Sequence, residues 1–290
     1  MNFGVVFPQT EIGTDISLIK EYIQEAEYQN YKHVLAYDHI LGANLDTRPK
    51  WTGPYNKSHM FYEPFILFSY LASITKNIEF ATGIIILPQR QTALVAKQAA
   101  TLDILSNGRL RLGIGTGWNK VEYIALNENF HNRGIRSVEQ IKLMRKLWKN
   151  NSITFHGKWH TIDNAGINPL PTNKSIPIWL GGYHKNVFNR VGRIGDGWIG
   201  FFKTKEEGLR IIDIIKSAAE RNKRNPENIG IEVPITIQKD FKHKEILKKI
   251  TTLNNIGVTH ISINTMNTGL ENSKSHLNVI KEFKKVIDNL

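Results

Sequence analysis

The 290-residue chain contains no cysteine. This absence excludes disulfide bonds, thiolate metal sites, iron–sulfur clusters and a cysteine nucleophile. No apolar run approaches the roughly 20 residues that span a bilayer. The chain opens directly into the apolar segment 3–7, without the basic region of a secretory signal. We therefore expect a cytoplasmic protein without a membrane partner.

Acidic residues are scarce, since 26 Asp and Glu accompany 38 Lys and Arg, which gives a formal net charge of +12. Binding of nucleic acid would require basic residues massed in one motif or on one face. Here they are spread over the predicted helices, for example at Lys142, Lys146 and Lys149. We therefore expect no nucleic-acid partner, although a positive field attracts an anionic cofactor or substrate.

Several common catalytic signatures are also missing. The sequence has no His-Glu-x-x-His zinc motif, no Gly-x-Ser-x-Gly elbow and no Walker loop. Acidic residues at the ends of the predicted strands are few, which disfavours a hydrolase with paired carboxylates. We predict no metal site.

The chain does contain eight apolar strand patterns that alternate with eight helical patterns. This alternation predicts a (β/α)8 TIM barrel, for which about 250 residues is typical. A doubly wound open sheet is the alternative, because alternation alone does not show closure. We favour a single barrel domain over residues 1–290, because the strand count is eight and no change in composition marks a boundary. The predicted strands are Phe3–Phe7, His33–Tyr37, Ile78–Leu87, Arg111–Thr116, Ile176–Leu180, Gly197–Gly200, Ile229–Ile237 and His260–Asn264. The predicted helices are Asp15–Tyr28, Pro64–Ile74, Thr92–Leu105, Ser137–Trp148, Asn186–Ile194, Lys205–Arg221, Lys244–Asn254 and Ser275–Asp288.

Two intervals are too long for plain connections between these elements. Residues 41–63 are rich in Gly, Asn, Pro and aromatic residues. We predict that they form a lid over the exit of the second strand. Residues 150–175 contain a strand–Gly–strand pattern, which predicts a small hairpin inserted between strands four and five.

Asp38 and His39 directly follow the second predicted strand. The carboxyl ends of barrel strands are where chemistry takes place, so His39 is placed to donate to a substrate or cofactor oxygen or to move a proton. The alternative is structural, with Asp38 as a local cap and His39 bonded to the backbone.

Glycines interrupt or follow three of the predicted strands. Thr82-Gly83-Ile84 lies inside strand three, where a glycine marks a bulge or a close backbone approach to a ligand, or else relieves crowding. Gly115 and Gly117 end strand four and leave room for a flat ring against the strand tips, with Trp118 at the rim. Core packing is the competing interpretation of Trp118.

Gly181-Gly182 follows strand five and leads into a helix. Backbone N–H groups at such a junction face outward, together with the positive end of the helix dipole. We therefore predict that this pair binds a phosphate group.

These motifs together resemble the luciferase-like monooxygenase family, the bacterial-luciferase superfamily of flavin- or deazaflavin-dependent oxidoreductases. The resemblance covers nearly the whole chain, and several spaced motifs in the same order make it specific. It rests on Phe3-Gly4-Val5 with Pro8, Tyr37-Asp38-His39, Ala81-Thr82-Gly83, Asp103 through Trp118, Arg133-Gly134, Pro177 through Gly182 and Gly195-Asp196-Gly197-Trp198.

The resemblance implies a cofactor at the carboxyl ends of the strands. The bulge at Thr82-Gly83-Ile84 would support one face of the isoalloxazine ring, and Gly83-Ile84 is the candidate for a non-proline cis peptide bond. The resemblance also places the cofactor phosphate near Gly181-Gly182, and it matches His39 to a residue close to the ring or substrate.

The resemblance implies FMN as cofactor, with coenzyme F420 as the alternative, and a reaction of the reduced cofactor with a small organic substrate. A non-catalytic flavin-binding barrel is the second hypothesis, and a barrel enzyme without flavin that binds a phosphorylated metabolite at Gly181-Gly182 is the third. A homodimer and a separate flavin reductase are further expectations. Trp118 stands where the family's sugar-phosphate dehydrogenases carry an acidic glutamate, with Glu122 one helical turn on, so we do not expect that activity.

Overall fold

The structure is a computed structural model that describes residues 1–270 and 272–288. Its main sheet is parallel and closes on itself, because β3 pairs with β5 as well as with β2. β3 and β4 together occupy one position, so the barrel has eight positions, and the predicted TIM barrel is confirmed. The strands are β1 (Asn2–Val6), β2 (His33–Ala36), β3 (Glu79–Thr82), β4 (Ile85–Ile86), β5 (Leu110–Gly115), β6 (Ile153–His156), β7 (Thr161–Ala165), β8 (Ile178–Gly181), β9 (Gly197–Ile199), β10 (Gly230–Thr236) and β11 (His260–Asn264).

Helices surround the barrel, and several of them begin at a side-chain cap. The Asp15 carboxylate accepts from the backbone N–H of Ser17 at 2.8 Å, and the Glu63 carboxylate accepts from that of Ile66 at 2.9 Å. Such caps satisfy N–H groups that have no partner within a helix. The helices are α1 (Ile16–Tyr28), α2 (Pro64–Ala72), α3 (Thr92–Leu105), α4 (Lys120–Ala125), α5 (Arg133–Lys149), α6 (Lys185–Ile194), α7 (Lys205–Arg221), α8 (His243–Asn255) and α9 (Ser273–Ile287).

The third strand differs from its prediction as one continuous run, Ile78–Leu87. It divides into β3 and β4, with Gly83 and Ile84 between them. The Gly83 N–H donates to the carbonyl of Ala36 at 2.7 Å, and the N–H of Ile86 donates to the Asp38 carboxylate at 3.1 Å. Because the Ile86 N–H bonds to a side chain of the neighbouring loop, the hydrogen-bond ladder between the strands is interrupted there.

Two helical features around α5 also differ from the sequence predictions. α5 begins at Arg133, four residues before the predicted start at Ser137, and α4 was not predicted. Arg136 lies in the first turn of α5, where its guanidinium is buried and contacts Glu128 and the carbonyl of Pro88. Neither of these contacts can be read from the helical pattern of the local sequence. The polar segment before Ser137 therefore resembled a loop.

The predicted insertion is confirmed as an antiparallel hairpin of β6 and β7. The hairpin is attached to α5 through the Glu139 carboxylate. That carboxylate accepts from the backbone N–H groups of Lys158, Trp159 and His160 at 2.8, 2.9 and 3.0 Å. The turn of the hairpin therefore has a defined position on the outer surface of the barrel.

The amino-terminal end of the barrel is filled by a basal ionic cluster of His33, Arg111, Glu232 and Ser262, each at most 2% exposed. The His33 Nε2 atom lies 2.9 Å from a carboxylate oxygen of Glu232. Arg111 and the Ser262 hydroxyl donate to the same carboxylate. Burial raises the pKa of Glu232, but Arg111 and His33 outweigh it and hold that pKa well below its usual range.

Within residues 1–270 and 272–288, no helix combines the length and the apolar content that a bilayer crossing requires. The same described part of the chain contains no cluster of three metal-binding side chains.

Candidate active site

A cavity of about 1120 Å³ lies at the carboxyl ends of the barrel strands. Its walls come from the segments that follow β2, β3, β5, β8, β9 and β10, together with one face of α8. Small-molecule pockets typically measure about 300–1,000 Å³. The cavity is therefore large enough for a fused ring system together with a small substrate.

His39 lies on the wall of this cavity and has a fixed orientation. Its Nδ1 atom is 3.0 Å from the Glu122 Oε1 atom. Its ring centroid lies 4.9 Å from that of Tyr55, 4.8 Å from that of Phe61 and 5.7 Å from that of Trp118. Because a carboxylate only accepts, Nδ1 carries a hydrogen, and Nε2 is the nitrogen that gains or loses a proton. No hydrogen-bond partner of Nε2 occurs in the described part of the chain.

Glu122 in α4 is a site residue to which the sequence analysis gave no role. Its side chain is 1% exposed and accepts from the N–H of Ile40 at 3.1 Å and from the amide of Gln89 at 3.0 Å. Burial raises its pKa, but the bonds from His39 and Gln89 outweigh that effect and lower the pKa below its usual value. Glu122 is therefore ionised at neutral pH. One local signal existed: Asn119 directly after the glycines caps a helix that begins at Lys120.

Asp38 borders the cavity, but its carboxylate is engaged elsewhere. One oxygen lies 2.9 Å from Arg90 Nη2, and the other accepts from the N–H of Ile86 at 3.1 Å. Burial raises the pKa of Asp38, and Arg90 opposes that rise. Arg90 also contacts the Glu63 carboxylate at 2.8 Å. Asp38 therefore fixes the bulge before β4, and its direct role in the chemistry stays a prediction.

The bulge contains the cis peptide bond Gly83-Ile84, as the family resemblance implies. The Ile84 side chain extends over two of the predicted glycines. A Cβ atom on Gly115 would lie 1.7 Å from Ile84 Cδ1, and one on Gly181 would lie 3.0 Å from Ile84 Cγ2. The space above Gly115, expected to be free for a ring, is therefore occupied by Ile84, which itself lines the cavity.

The remaining predicted cofactor residues divide between the cavity wall and the layer beneath it. Gly83, Ile84, Gly117, Trp118, Gly181 and Gly182 line the cavity, whereas Thr82 and Gly115 are not among its lining residues. The Thr82 hydroxyl is fully buried and donates to the carbonyl of Gly113 at 2.6 Å. Thr82 thus holds β3 against β5 below the cavity floor.

The junction after β8 has the backbone form that the sequence suggested. Gly182 has a φ of +133°, a conformation that side-chain-bearing residues rarely adopt. α6 begins three residues later, and His184 caps it by accepting from the N–H of Asn186 at 3.2 Å. That cap already satisfies one N–H group of the first turn.

Pro54 and Tyr55 of residues 41–63, the predicted lid, line the cavity, and Tyr55 lies beside His39. Trp51 of this segment packs against Trp118 with ring centroids 5.6 Å apart. A Cβ atom on Gly53 would lie 2.3 Å from the Trp118 ring, so glycine permits this close approach. Trp118 is 39% exposed and therefore belongs to the rim of the cavity rather than to the core.

Comparison with known proteins places this geometry in a family. Residues 1–274 match the luciferase-like monooxygenase family. The chain belongs to the luciferase-like monooxygenase family. It is 31% identical over 231 residues to an uncharacterised protein of Mycobacterium tuberculosis, a match that covers 78% of this chain and 80% of that protein.

Two relatives within the luciferase-like family use different cofactors. The F420-dependent hydroxymycolic acid dehydrogenase of Mycobacterium tuberculosis is 28% identical over 230 residues, covering 78% of this chain and 60% of that protein. The FMNH2-dependent dimethylsulfone monooxygenase of Pseudomonas fluorescens is 29% identical over 226 residues, covering 76% and 58%. Among solved structures, the monooxygenase RslO1 from Streptomyces bottropensis superposes with a TM-score of 0.83 at 16% identity, covering 99% of this chain and 98% of that one. At this low identity, the similarity to RslO1 supports the fold alone.

Membership of the luciferase-like family supports an oxidoreductase or monooxygenase activity that depends on reduced FMN or on F420.

Proposed function

We propose that this protein is a reduced-flavin- or reduced-deazaflavin-dependent oxidoreductase or monooxygenase that acts on a small organic substrate in the cavity. The observation that carries this proposal is the His39–Glu122 pair. It fixes an imidazole at the cavity wall and leaves its Nε2 atom without a partner in the described chain. A positioned imidazole with one available nitrogen is suited to hold or transfer a proton.

The residues at the cavity floor fit a flat, largely apolar ring. Ile84 presents an apolar surface there, and Gly115 and Gly181 allow it to sit deep because any side chain at Gly115 would collide with it. A Cβ atom on Gly83 would lie 2.1 Å from Leu35, so the bulge also depends on glycine. The ring system would therefore lie on Ile84, with Gly117 and Trp118 beside it. Gly181 and Gly182 would hold the phosphate group.

The cofactor supplies the redox chemistry, since a reduced flavin supports oxygen insertion or hydride transfer and a reduced deazaflavin supports hydride transfer. The protein supplies orientation, a proton at His39 Nε2 and exclusion of water by residues 41–63. Glu122 positions His39, and Asp38 positions the bulge. FMN is the cofactor we propose first and F420 the alternative.

Other properties remain predictions: a homodimer, a separate flavin reductase as partner and a cytoplasmic location. The non-catalytic flavin-binding barrel remains the competing function. The Glu122 contact on His39 argues against it, because burying a carboxylate costs free energy that simple flavin retention does not require.

The decisive experiment is an absorption titration of the purified protein with FMN and then with F420. We expect saturable spectral change with one of them and, after reduction, substrate-dependent acceleration of cofactor oxidation. Binding without any acceleration across a broad substrate panel would instead identify the non-catalytic barrel. Failure to bind either cofactor would overturn the proposal and favour a barrel enzyme without flavin.

A further inference from the structure

Four lysines line the candidate active-site cavity, a feature that the proposed chemistry does not use. Lys203 follows β9, Lys205 begins α7, and Lys248 and Lys249 lie on α8. We call these four residues the lysine wall. β9 lies four positions away from β2 around the eight-position barrel. The lysine wall is therefore on the side of the cavity opposite His39.

The charge of this wall is only partly balanced by neighbouring acids, since Glu206 acts on Lys205 and Glu207 lies beside Lys203. Two carboxylate residues line the cavity, and each already has a cation: Asp38 pairs with Arg90, and Glu245 lies 3.4 Å from Lys242. Within residues 1–270 and 272–288, none of the four lysines forms an ion pair with a carboxylate. Glu207 is close by, but its carboxylate accepts from the backbone N–H of Lys203. The cavity is thus strongly cationic on one side.

Lys249 is exposed overall, but its ammonium group is partly desolvated, which adds weight to this excess charge. Desolvation lowers the pKa of its ammonium group, and no carboxylate compensates. Bringing a cation partly out of water without a partner is unfavourable, so an incoming anion stabilises it. The opposite side of the cavity is aromatic, since Tyr55 and Trp118 line it around His39. The two sides therefore suit the two ends of an amphipathic ligand.

We propose that the lysine wall binds a carboxylate or phosphate group of the molecule that occupies this cavity, and that the reacting part of that molecule lies toward His39. This inference rests on the proposed function for its reaction, but the anion site itself can be tested without turnover. Two sources of the anion are compatible with the chemistry. One is an acidic substrate, and the other is the phosphate or acidic tail of the cofactor.

The test compares a double variant, Lys248→Gln/Lys249→Gln, with a control that removes the same charge outside the cavity, Lys20→Gln/Lys244→Gln. Lys244 lies on α8, as Lys248 does, but does not line the cavity. The first probes are benzoate, its neutral analogue benzamide and inorganic phosphate. Their binding is followed through tryptophan fluorescence, because Trp118 lies in the cavity. Parallel titrations compare FMN with riboflavin, which lacks the phosphate.

We expect the wild-type protein and the control to bind the anionic probes in a salt-sensitive manner. The double variant should bind them about tenfold more weakly, with binding of benzamide unchanged. If the double variant instead loses affinity for FMN but not for riboflavin, the anion is that of the cofactor. If it retains FMN affinity and loses benzoate affinity on the FMN-loaded protein, the anion belongs to the substrate.

Equal binding of every probe by the double variant and the control would overturn the proposal. Failure of the proposed function is distinguishable from that result. A protein that binds neither FMN nor F420, yet binds benzoate and phosphate through these lysines, would disprove the flavin chemistry and retain the anion site.

Discussion

Two of the histidine–glutamate pairs among the described residues have nearly equal length and lie at opposite ends of the barrel. His33 and Glu232 are 2.9 Å apart in the basal ionic cluster, and His39 and Glu122 are 3.0 Å apart beside the cavity. At the base, Glu232 also contacts Arg111, and both members of the pair are at most 1% exposed. At the cavity, no second cation contacts the pair within residues 1–270 and 272–288, and the histidine side chain is 12% exposed.

This difference shows that the surroundings, and not the pair itself, determine what a histidine–glutamate contact does. An enclosed pair with a further cation contributes mainly to stability, because removing one member leaves buried charge without compensation. His33 also has a nitrogen without a partner, its Nδ1 atom, but that atom is buried, whereas the free nitrogen of His39 belongs to a residue that lines the cavity and is therefore the one proposed for chemistry. The following predictions test this division in order of decreasing effect.

The largest effect should come from Glu232→Gln in the basal ionic cluster. The substitution leaves the buried Arg111 guanidinium without its main counter-charge, so the free energy of unfolding should fall by about 3–5 kcal/mol. Urea unfolding measures the change. Glu79→Gln is the matched control, because Glu79 contacts Arg111 at 2.6 Å but its side chain is 38% exposed. It should cost less than about 1 kcal/mol. Equal losses in the two variants would contradict the assignment.

His39→Ala, in contrast, should reduce activity more than stability. We expect kcat to fall about 100-fold, because the variant has no imidazole to hold or transfer the proton. The free energy of unfolding should fall by about 1–3 kcal/mol, less than for Glu232→Gln, because the buried Glu122 carboxylate loses one hydrogen bond but keeps those from Ile40 and Gln89. Stopped-flow oxidation of the reduced cofactor measures the rate. Full turnover in this variant would remove the role assigned to His39.

Glu122→Gln should have a smaller effect, because Glu122 positions His39 and does not itself reach the reacting atoms. We expect kcat to fall about tenfold with KM nearly unchanged, since the imidazole loses its fixed orientation while the cavity keeps its shape. Glu122→Asp retains the negative charge and should recover part of the rate. A change in KM alone, or an identical defect in both variants, would indicate that Glu122 acts only on the structure around it.

The last prediction concerns pH and two further histidines, of which His276 is buried and His260 is half-buried. Desolvation lowers the pKa of His260 to about 3 and that of His276 to about 4, from an ordinary value of 6.5. Below about pH 6.5 the unfolded chain therefore takes up protons that the folded protein does not, and stability declines as pH falls. Each histidine contributes up to about 1.4 kcal/mol per pH unit.

His260→Gln should reduce this slope between pH 6.5 and 4.5, a window that lies above the ordinary pKa of glutamate, 4.5. Urea unfolding at several pH values measures it, with the exposed His131→Gln as the control. A slope unchanged by His260→Gln but reduced by His131→Gln would contradict this prediction.

The sequence was most informative where local pattern and position coincide. Apolar runs without alternation identified the barrel strands, and strand-end glycines identified the bulge and several of the residues that line the cavity. Contacts between distant segments could not be read in this way. Glu122 reaches His39 across 83 residues, and Asp38 reaches Arg90 across 52. The lysine wall was hidden for the same reason, because its members belong to separate segments and resembled ordinary surface charge.

One consequence arises from the contacts Ile86–Asp38–Arg90–Glu63. Glu63 caps α2 at the end of the predicted lid, and Asp38 fixes the bulge at the cavity floor. The carboxyl-terminal end of the predicted lid is thus anchored by the same series of charged contacts that shapes the cavity floor. We therefore expect that exchanging residues 42–62 alters which substrates enter the cavity and leaves the shape of the cavity floor unchanged.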